Sequence, residues 1–360
     1  MRKINIGILF GGKSVEHEVS LRSAKNIINA IDKEKYNIIL ILINKAGKWL
    51  VKTDSNLLLK NQKGKIRLGG KTDYVAIIPQ SNGKILNFSS PKSNQIVDVV
   101  FPILHGPFGE DGTVQGLLKL ANIPFVGAGV LGSAVGMDKD VMKRLLRDAD
   151  IPVAQFLTFK DCDNLSFNKI ARKLGLPFFV KPANLGSSVG ISKVKNKKDF
   201  AEAVKEAFKY DRKIIIEEYI DGRELECSVL GNDNPIASVP GEVIVKHDFY
   251  SYEAKYLDEN GAVLEIPAKI PARLAKEIQK LAVKTFKISG CEGLGRVDLF
   301  LKKDGQIIVN EINTIPGFTS ISMYPRLWEA SGIGYTKLID KLIQFAIERF
   351  KKEQKLKTIK

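Results

Sequence analysis

The run LGRVDLFLKKDGQIIVNEIN, from Leu294 to Asn313, constrains this chain more than any other stretch. Two alternating segments, RVDLFL and QIIVNEI, flank Asp304-Gly305, a dipeptide that marks a two-residue β-hairpin. With Asp304-Gly305 as the loop, Lys303 faces Gln306, and counting back along both strands sets Asp298 opposite Glu311 and Arg296 opposite Asn313. Strand alternation puts these four side chains on one face and Val297, Leu299, Leu301, Ile308 and Ile312 on the other, toward a core. Carboxylates directly across a strand pair repel each other, so the arrangement calls for a cation between them. Oxygen donors from Asp298, Glu311 and Asn313 suit a hard ion such as Mg²⁺, which commonly uses one or two carboxylates plus substrate phosphates, and Arg296 adds a fixed positive fork. NEINTIPGFTS then leads into a Pro316-Gly317 turn whose amides can approach a ligand closely. A metal and phosphate site is expected here; the plain alternative is a solvated polar face.

The start of the chain reads as α/β. INIGILF and YNIILILI are buried strands separated by a helical pattern from Ser20 to Ile31. Gly7 to Ser14 matches the P-loop pattern literally, but Ile8, Leu9 and Phe10 belong to the strand and leave too little loop to wrap phosphates. The Gly127, Gly129, Gly132 pattern of GAGVLG lacks a long preceding strand and an acidic ribose partner, so close backbone packing is the better account. Glu16, His17 and His105 lie near strand ends, where α/β sheets place ligands. The segment from Lys45 to Asn94 has the composition of added hairpins or an insertion.

A second unit begins near Met137-Asp138-Lys139. LPFFVKPANLGSSVGISKV reads as strand, glycine-rich turn, strand, with Lys181 beside a loop of Gly186, Ser187, Ser188 and Gly190 that can fold over phosphates. Glu217, Glu218 and Glu224 flank a link where an acceptor can meet ribose hydroxyls. HDFYSYEAKYLDENG, with Lys255 and Tyr256, is either connector or lid.

Composition narrows the class. A net charge of +16 raises a nucleic-acid partner, but lysines are spread through nearly every polar segment and no RNA- or DNA-binding motif is present, so none is expected. The three cysteines, Cys162, Cys227 and Cys291, lie far apart and suggest buried reduced thiols. No apolar run is long enough to span a bilayer and the start lacks a cleavage site, so an untargeted cytoplasmic protein without membrane contact is expected.

Taken together, GGKSVEHEVS, HGPFGEDG, VKPANLGSSVG, YEAKY, GRVD and NEINTIPGFTS resemble the D-alanine–D-alanine ligase family of ATP-grasp enzymes, nearly end to end from about Ile4 to about Phe345. The resemblance implies a three-domain ATP-grasp architecture: an N-terminal α/β parallel-sheet domain (1–138), a central ATP-grasp domain (139–225) and a C-terminal catalytic domain (226–360), α+β in the ATP-binding part. It implies ATP-dependent joining of two D-alanines through a D-alanyl phosphate, for peptidoglycan precursors, with Mg²⁺ or Mn²⁺ as the ion and a homodimer as the assembly. Lys139, Lys181 and Lys255 match phosphate ligands; Glu217, Glu218, Ile220 and Glu224 lie at adenine and ribose positions; Asp298, Glu311 and Asn313 match the metal ligands. Glu16 fits the group holding the first D-alanine's amine, linked to Ser187 and Tyr256, with His105 nearby. Arg296 and the Gly317 amide match the stabilisers of the tetrahedral oxyanion, and Ser322 and Met323 the pocket for the second substrate's carboxylate. The YEAKY loop favours D-alanine over D-lactate as second substrate.

Overall fold

The long apolar strands of the N-terminal region are buried on both faces, which parallel sheets require. In a computed structural model, which describes residues 2–52, 61–62, 65–66, 73–89, 95–245 and 262–357, Ile4–Gly11 pairs in parallel with Tyr36–Ile43 on one side and Val99–Leu104 on the other. The described part of the Lys45–Asn94 segment extends this sheet with antiparallel strands Trp49–Lys52, Asp73–Ile77 and Lys84–Asn87, ending at Gln95–Ile96. The expected hairpins are therefore additions to the edge of one seven-stranded sheet. Helix His17–Ala30 begins three residues earlier than the Ser20 pattern suggested.

Both glycine-rich decoys resolve as backbone devices. Gly7 to Gly11 lies in the first strand, as expected. At Gly11, φ is +94° and a Cβ would stand 2.2 Å from the Ile43 carbonyl oxygen, so glycine is needed for the strand exit. A Cβ on Gly132 would stand 2.4 Å from the Gly290 oxygen, which confirms close backbone packing.

Phe156–Lys160, Lys213–Glu218, Phe178–Pro182 and Ser192–Val194 form a four-stranded antiparallel sheet, covered by helices Phe167–Leu174 and Lys197–Ala207 around Phe178, Val180, Ile214 and Ile216. The third sheet runs Ala262–Glu265, Gly241–Val245, Gly222–Gly231, Gly293–Lys302, Ile307–Asn313, with Ile236–Ala237 paired at the side. Helix Lys139–Asp148 starts at an Asp138 cap that accepts from the Asp140 and Val141 amides, and its Met142 and Leu146 join the core of this third sheet.

The two ends of the chain share one core. Tyr324, Trp328, Leu338, Leu342 and Ile343 from helices Met323–Ala330 and Tyr335–Glu353 pack with Ile6, Ile8, Phe10 and Phe101 of the first sheet. Arg349 pins this joint: it donates to the carbonyls of Phe125 (2.8 Å) and Gly127, lies 3.5 Å from Glu292, and stacks on the Phe125 ring. We predict that Arg349→Met, by leaving two buried carbonyls unpaired, destabilises the fold by about 2–3 kcal/mol in urea unfolding. An unchanged midpoint would show the joint to be held by apolar packing alone.

Candidate active site

The carboxylate hairpin forms with the expected pairs, Arg296↔Asn313 and Asp298↔Glu311, but not by the expected route. The loop is three residues, closed by Gly305 N–H to Lys302 O (3.0 Å) and Lys302 N–H to Gln306 O (2.9 Å), with Gly305 at φ +86°. That slips the register near the turn by one. A bulge between Asp298 and Leu299, where Asn310 is the extra residue of the partner strand, slips it back. Between loop and bulge the faces are exchanged relative to expectation. Val309 packs in the core with Leu299, Leu301 and Ile312, whereas Ile308, expected there, pairs with Phe300 on the same face as Asp298.

Strand Gly222–Gly231 completes this face from the other side, setting Ser228 beside Arg296, Glu226 beside Asp298 and Glu224 beside Phe300. Three carboxylates therefore lie side by side on adjacent strands, Glu226, Asp298 and Glu311. The protein's own cations, rather than a metal alone, balance them. Arg296 grips Asp298 with Nε and Nη2 at 2.7 and 2.8 Å and reaches Glu226 at 2.7 Å; Lys139 Nζ lies 3.3 Å from Glu311 and donates to the Leu185 carbonyl at 2.7 Å. Asn313 donates its amide to Asp298 at 3.0 Å.

The donors suit Mg²⁺. They are all oxygen, and among the described residues no three His, Cys, Asp or Glu side chains form a complete cage. An ion that fills its shell with phosphate oxygens and water needs no more than this.

Lys181 and Glu217 come from adjacent strands, with Phe179 opposite Glu217, so their side chains meet diagonally: Lys181 Nζ donates to Glu217 Oε2 at 2.6 Å. Burial alone would raise the Glu217 pKa, but the charges of Lys143 and Lys181 outweigh it and hold it at about 2. Burial lowers the Lys181 pKa, but the charge and hydrogen bond of Glu217, joined by the charges of Glu311 and Glu224, together shift it upward. Glu218 accepts from the Gln155 amide at 2.7 Å, and Ile220 lies three residues after Glu217 in the short link before Gly222. The glycine-rich loop spans the turn between Phe178–Pro182 and Ser192–Val194, with Ser187, Ser188 and Gly190 all at positive φ.

That loop reaches Glu16, beside the first sheet. Ser187 Oγ donates to Glu16 Oε1, joining residues 171 positions apart over the cleft. Glu16 is buried just before helix His17–Ala30, with His105 at the end of Val99–Leu104. His105 is buried, Nδ1 is 3.1 Å from the Ile315 carbonyl, and burial pushes its pKa down, so it is neutral at pH 7. His17, by contrast, is held by the Gly12 carbonyl at 2.7 Å and serves the turn.

The Pro316-Gly317 turn is not formed. The chain bends at Thr314-Ile315 instead, because Ile315 and Phe318 are buried anchors and Phe318 N–H is bonded to Ser23 Oγ at 3.2 Å. Tertiary anchoring replaces the local turn. Ser322 precedes helix Met323–Ala330, where first-turn amides lack intrahelical partners, and its Oγ accepts from Thr319 N–H at 3.0 Å. The Met323 side chain packs with Val243 and Leu327, so it is the backbone amide of Met323 that is left to meet a ligand. Lys255 and Tyr256 lie outside the described residues.

Three residues were missed. Glu226 was legible in the alternation of RELECSV, where Leu225, Cys227 and Val229 are buried. Lys143 lies one turn beyond Lys139 and meets Glu217 at 3.2 Å. Glu110, within the HGPFGEDG motif, accepts from the Gly106 amide at 2.7 Å, and burial followed by the nearby Glu16 charge raises its pKa to about 8.

Comparison with known proteins gives the family of the chain. Residues 5–128 match the family described as D-ala D-ala ligase N-terminus and residues 145–344 the D-ala D-ala ligase C-terminus. The chain is 53% identical over 360 residues to the D-alanine–D-alanine ligase of Oceanobacillus iheyensis, covering 99% of this chain and 98% of that one. The Coxiella burnetii D-alanine–D-alanine ligase structure superimposes with a TM-score of 0.89 at 40% identity, over 99% of this chain and 97% of that one. The VanG D-Ala:D-Ser ligase of Enterococcus faecalis does so with 0.83 at 38% identity, over 96% and 100%.

Proposed function

The chain belongs to the D-alanine–D-alanine ligase family, whose reaction is the ATP-dependent joining of two D-alanines, and we propose how its residues divide that work. Lys139 and Lys181, with Lys255, take the nucleotide phosphates; Glu217, Glu218, Ile220 and Glu224 line adenine and ribose. Asp298, Glu311 and Asn313 would hold Mg²⁺, or Mn²⁺ in its place, which would offset the charge on the phosphates.

Glu16, tied to Ser187, holds the ammonium of the first D-alanine beside His105, a network to which family resemblance also assigns Tyr256. The carboxylate of that first D-alanine attacks the terminal phosphorus of ATP, releasing ADP and forming a D-alanyl phosphate. The second D-alanine, its carboxylate at Ser322 and the Met323 amide, attacks that carbonyl through its amine. Arg296 and the Gly317 N–H stabilise the oxyanion, and phosphate leaves as the carbonyl re-forms. The observation that carries this reading is the in-register Asp298–Glu311 pair facing Lys139, under a loop that Ser187 fastens to Glu16.

Boundaries for three units near 138 and 225 are proposed, although strand Gly222–Gly231 runs through residue 225. A cytoplasmic location, a role in peptidoglycan precursor supply and a homodimer belong to the same proposal; light scattering checks the last. Among the described residues no helix is long and apolar enough to cross a membrane.

For the acceptor, the curated relatives at 50–53% identity over nearly the whole chain are D-alanine–D-alanine ligases, which supports D-alanine. With D-alanine, D-serine and D-lactate offered together, D-alanyl-D-alanine is the expected main product; a majority of either mixed product would overturn the acceptor assignment. Ser187→Ala removes a hydrogen bond to a charged group worth about 1.5–3 kcal/mol, so KM for D-alanine is predicted to rise at least about tenfold. An unchanged KM would remove Ser187 from first-substrate binding.

A further inference from the structure

Lys143 is among the largest side chains sealed in the interior, at 1% exposure, yet the ligation above gives it no task. It lies four residues after Lys139 on the helix Lys139–Asp148, on the same helix face. Its ammonium stands 3.2 Å from Glu217 Oε1, while Glu217 Oε2 takes the Lys181 ammonium at 2.6 Å. Glu217 is thus clasped between a lysine with 1% side-chain exposure and a lysine with 12%, the latter on the cleft side. Burying an ammonium is costly, and an apolar side chain of the same length would fill this space without that cost, so packing does not account for a lysine here. Burial also keeps Lys143 from touching a phosphate itself.

We propose that Lys143 is a positioning residue for the nucleotide: it fixes the Glu217 carboxylate from behind and, through it, holds the Lys181 ammonium where the phosphates arrive. The proposal rests on the assignment of Lys181 to the phosphates. With Lys143 gone, Glu217 keeps one cation and is free to turn toward it, drawing Lys181 away from its ligand position.

The test is steady-state phosphate release with saturating D-alanine and Mg²⁺. Lys143→Met is expected to raise KM for ATP at least about tenfold while kcat and the KM for D-alanine stay within about threefold, a split that general loosening of the fold would not produce. In a Glu217→Gln background, where the charge that Lys143 holds is absent, the same change is expected to add less than about twofold. An ATP KM within about twofold of the parent, or an equal factor in both backgrounds, overturns the proposal. If Lys143→Met does not fold, Lys143→Met with Glu217→Gln is compared with Glu217→Gln alone: equal ATP KM values support the relay and a higher value in the double variant overturns it. Lys181→Met, run in parallel, separates the levels. A raised ATP KM there with none in Lys143→Met defeats only the positioning role, whereas an unchanged one in Lys181→Met removes the phosphate assignment on which it stands.

Discussion

Glu311→Gln is expected to lower ligation turnover on the order of a thousandfold while leaving the protein folded. Gln keeps the shape of the side chain and one carbonyl oxygen, but removes the charge that would hold Mg²⁺ against Asp298, and charge stabilisation by a bound metal is worth several kcal/mol in a transition state. The fold tolerates the change because Glu311 is partly exposed and its neighbour Lys139 keeps the Leu185 carbonyl, while Ile312 and Val309 still anchor the strand. Raising Mg²⁺ should recover part of the lost rate. Turnover within about threefold of the parent, at low Mg²⁺, would dismiss Glu311 as a metal ligand.

Arg296 carries the second large effect, and two substitutions separate its roles. Arg296→Met leaves Glu226 and Asp298 as neighbouring, mostly buried carboxylates with Glu311 beyond them, so about 3–5 kcal/mol of folding stability should be lost together with activity. Arg296→Lys keeps a positive charge but not the fork that spans Nε and Nη2 to one carboxylate, and should keep most of the stability. Its turnover is nevertheless expected to fall about a hundredfold, because oxyanion stabilisation depends on fixed donors. A Lys variant with parental turnover would leave Arg296 a purely structural charge.

Much of this site was legible because strand periodicity is stiff. Alternation in RVDLFL and VNEIN fixes which side chains share a face, and the pairs Asp298–Glu311 and Arg296–Asn313 follow. They were reached through a two-residue loop that does not exist; the extra loop residue and the bulge at Asn310 cancel at the site and not between, which is why Ile308 and Val309 were exchanged. No pattern announces a bulge in advance. The Pro316-Gly317 turn failed for a different reason, since burial of Ile315 and Phe318 and the bond to Ser23 are tertiary facts. Lys143 was hidden in a helix whose lysines look like surface residues until the sheet that carries Glu217 is laid against them. Assignments such as Ser322 to a substrate carboxylate came from family resemblance alone, because nothing in the residues names D-alanine.

The claim at the centre is that the carboxylate hairpin serves a metal-assisted, ATP-driven ligation. The direct measurement incubates the protein with ATP and D-alanine, with Mg²⁺ or with a chelator, and follows phosphate release alongside product mass. D-alanyl-D-alanine formed in step with phosphate, and only when ATP and the divalent ion are both present, is the predicted result. Undiminished dipeptide formation in the chelator, or no dipeptide from folded protein with every component present, would contradict it.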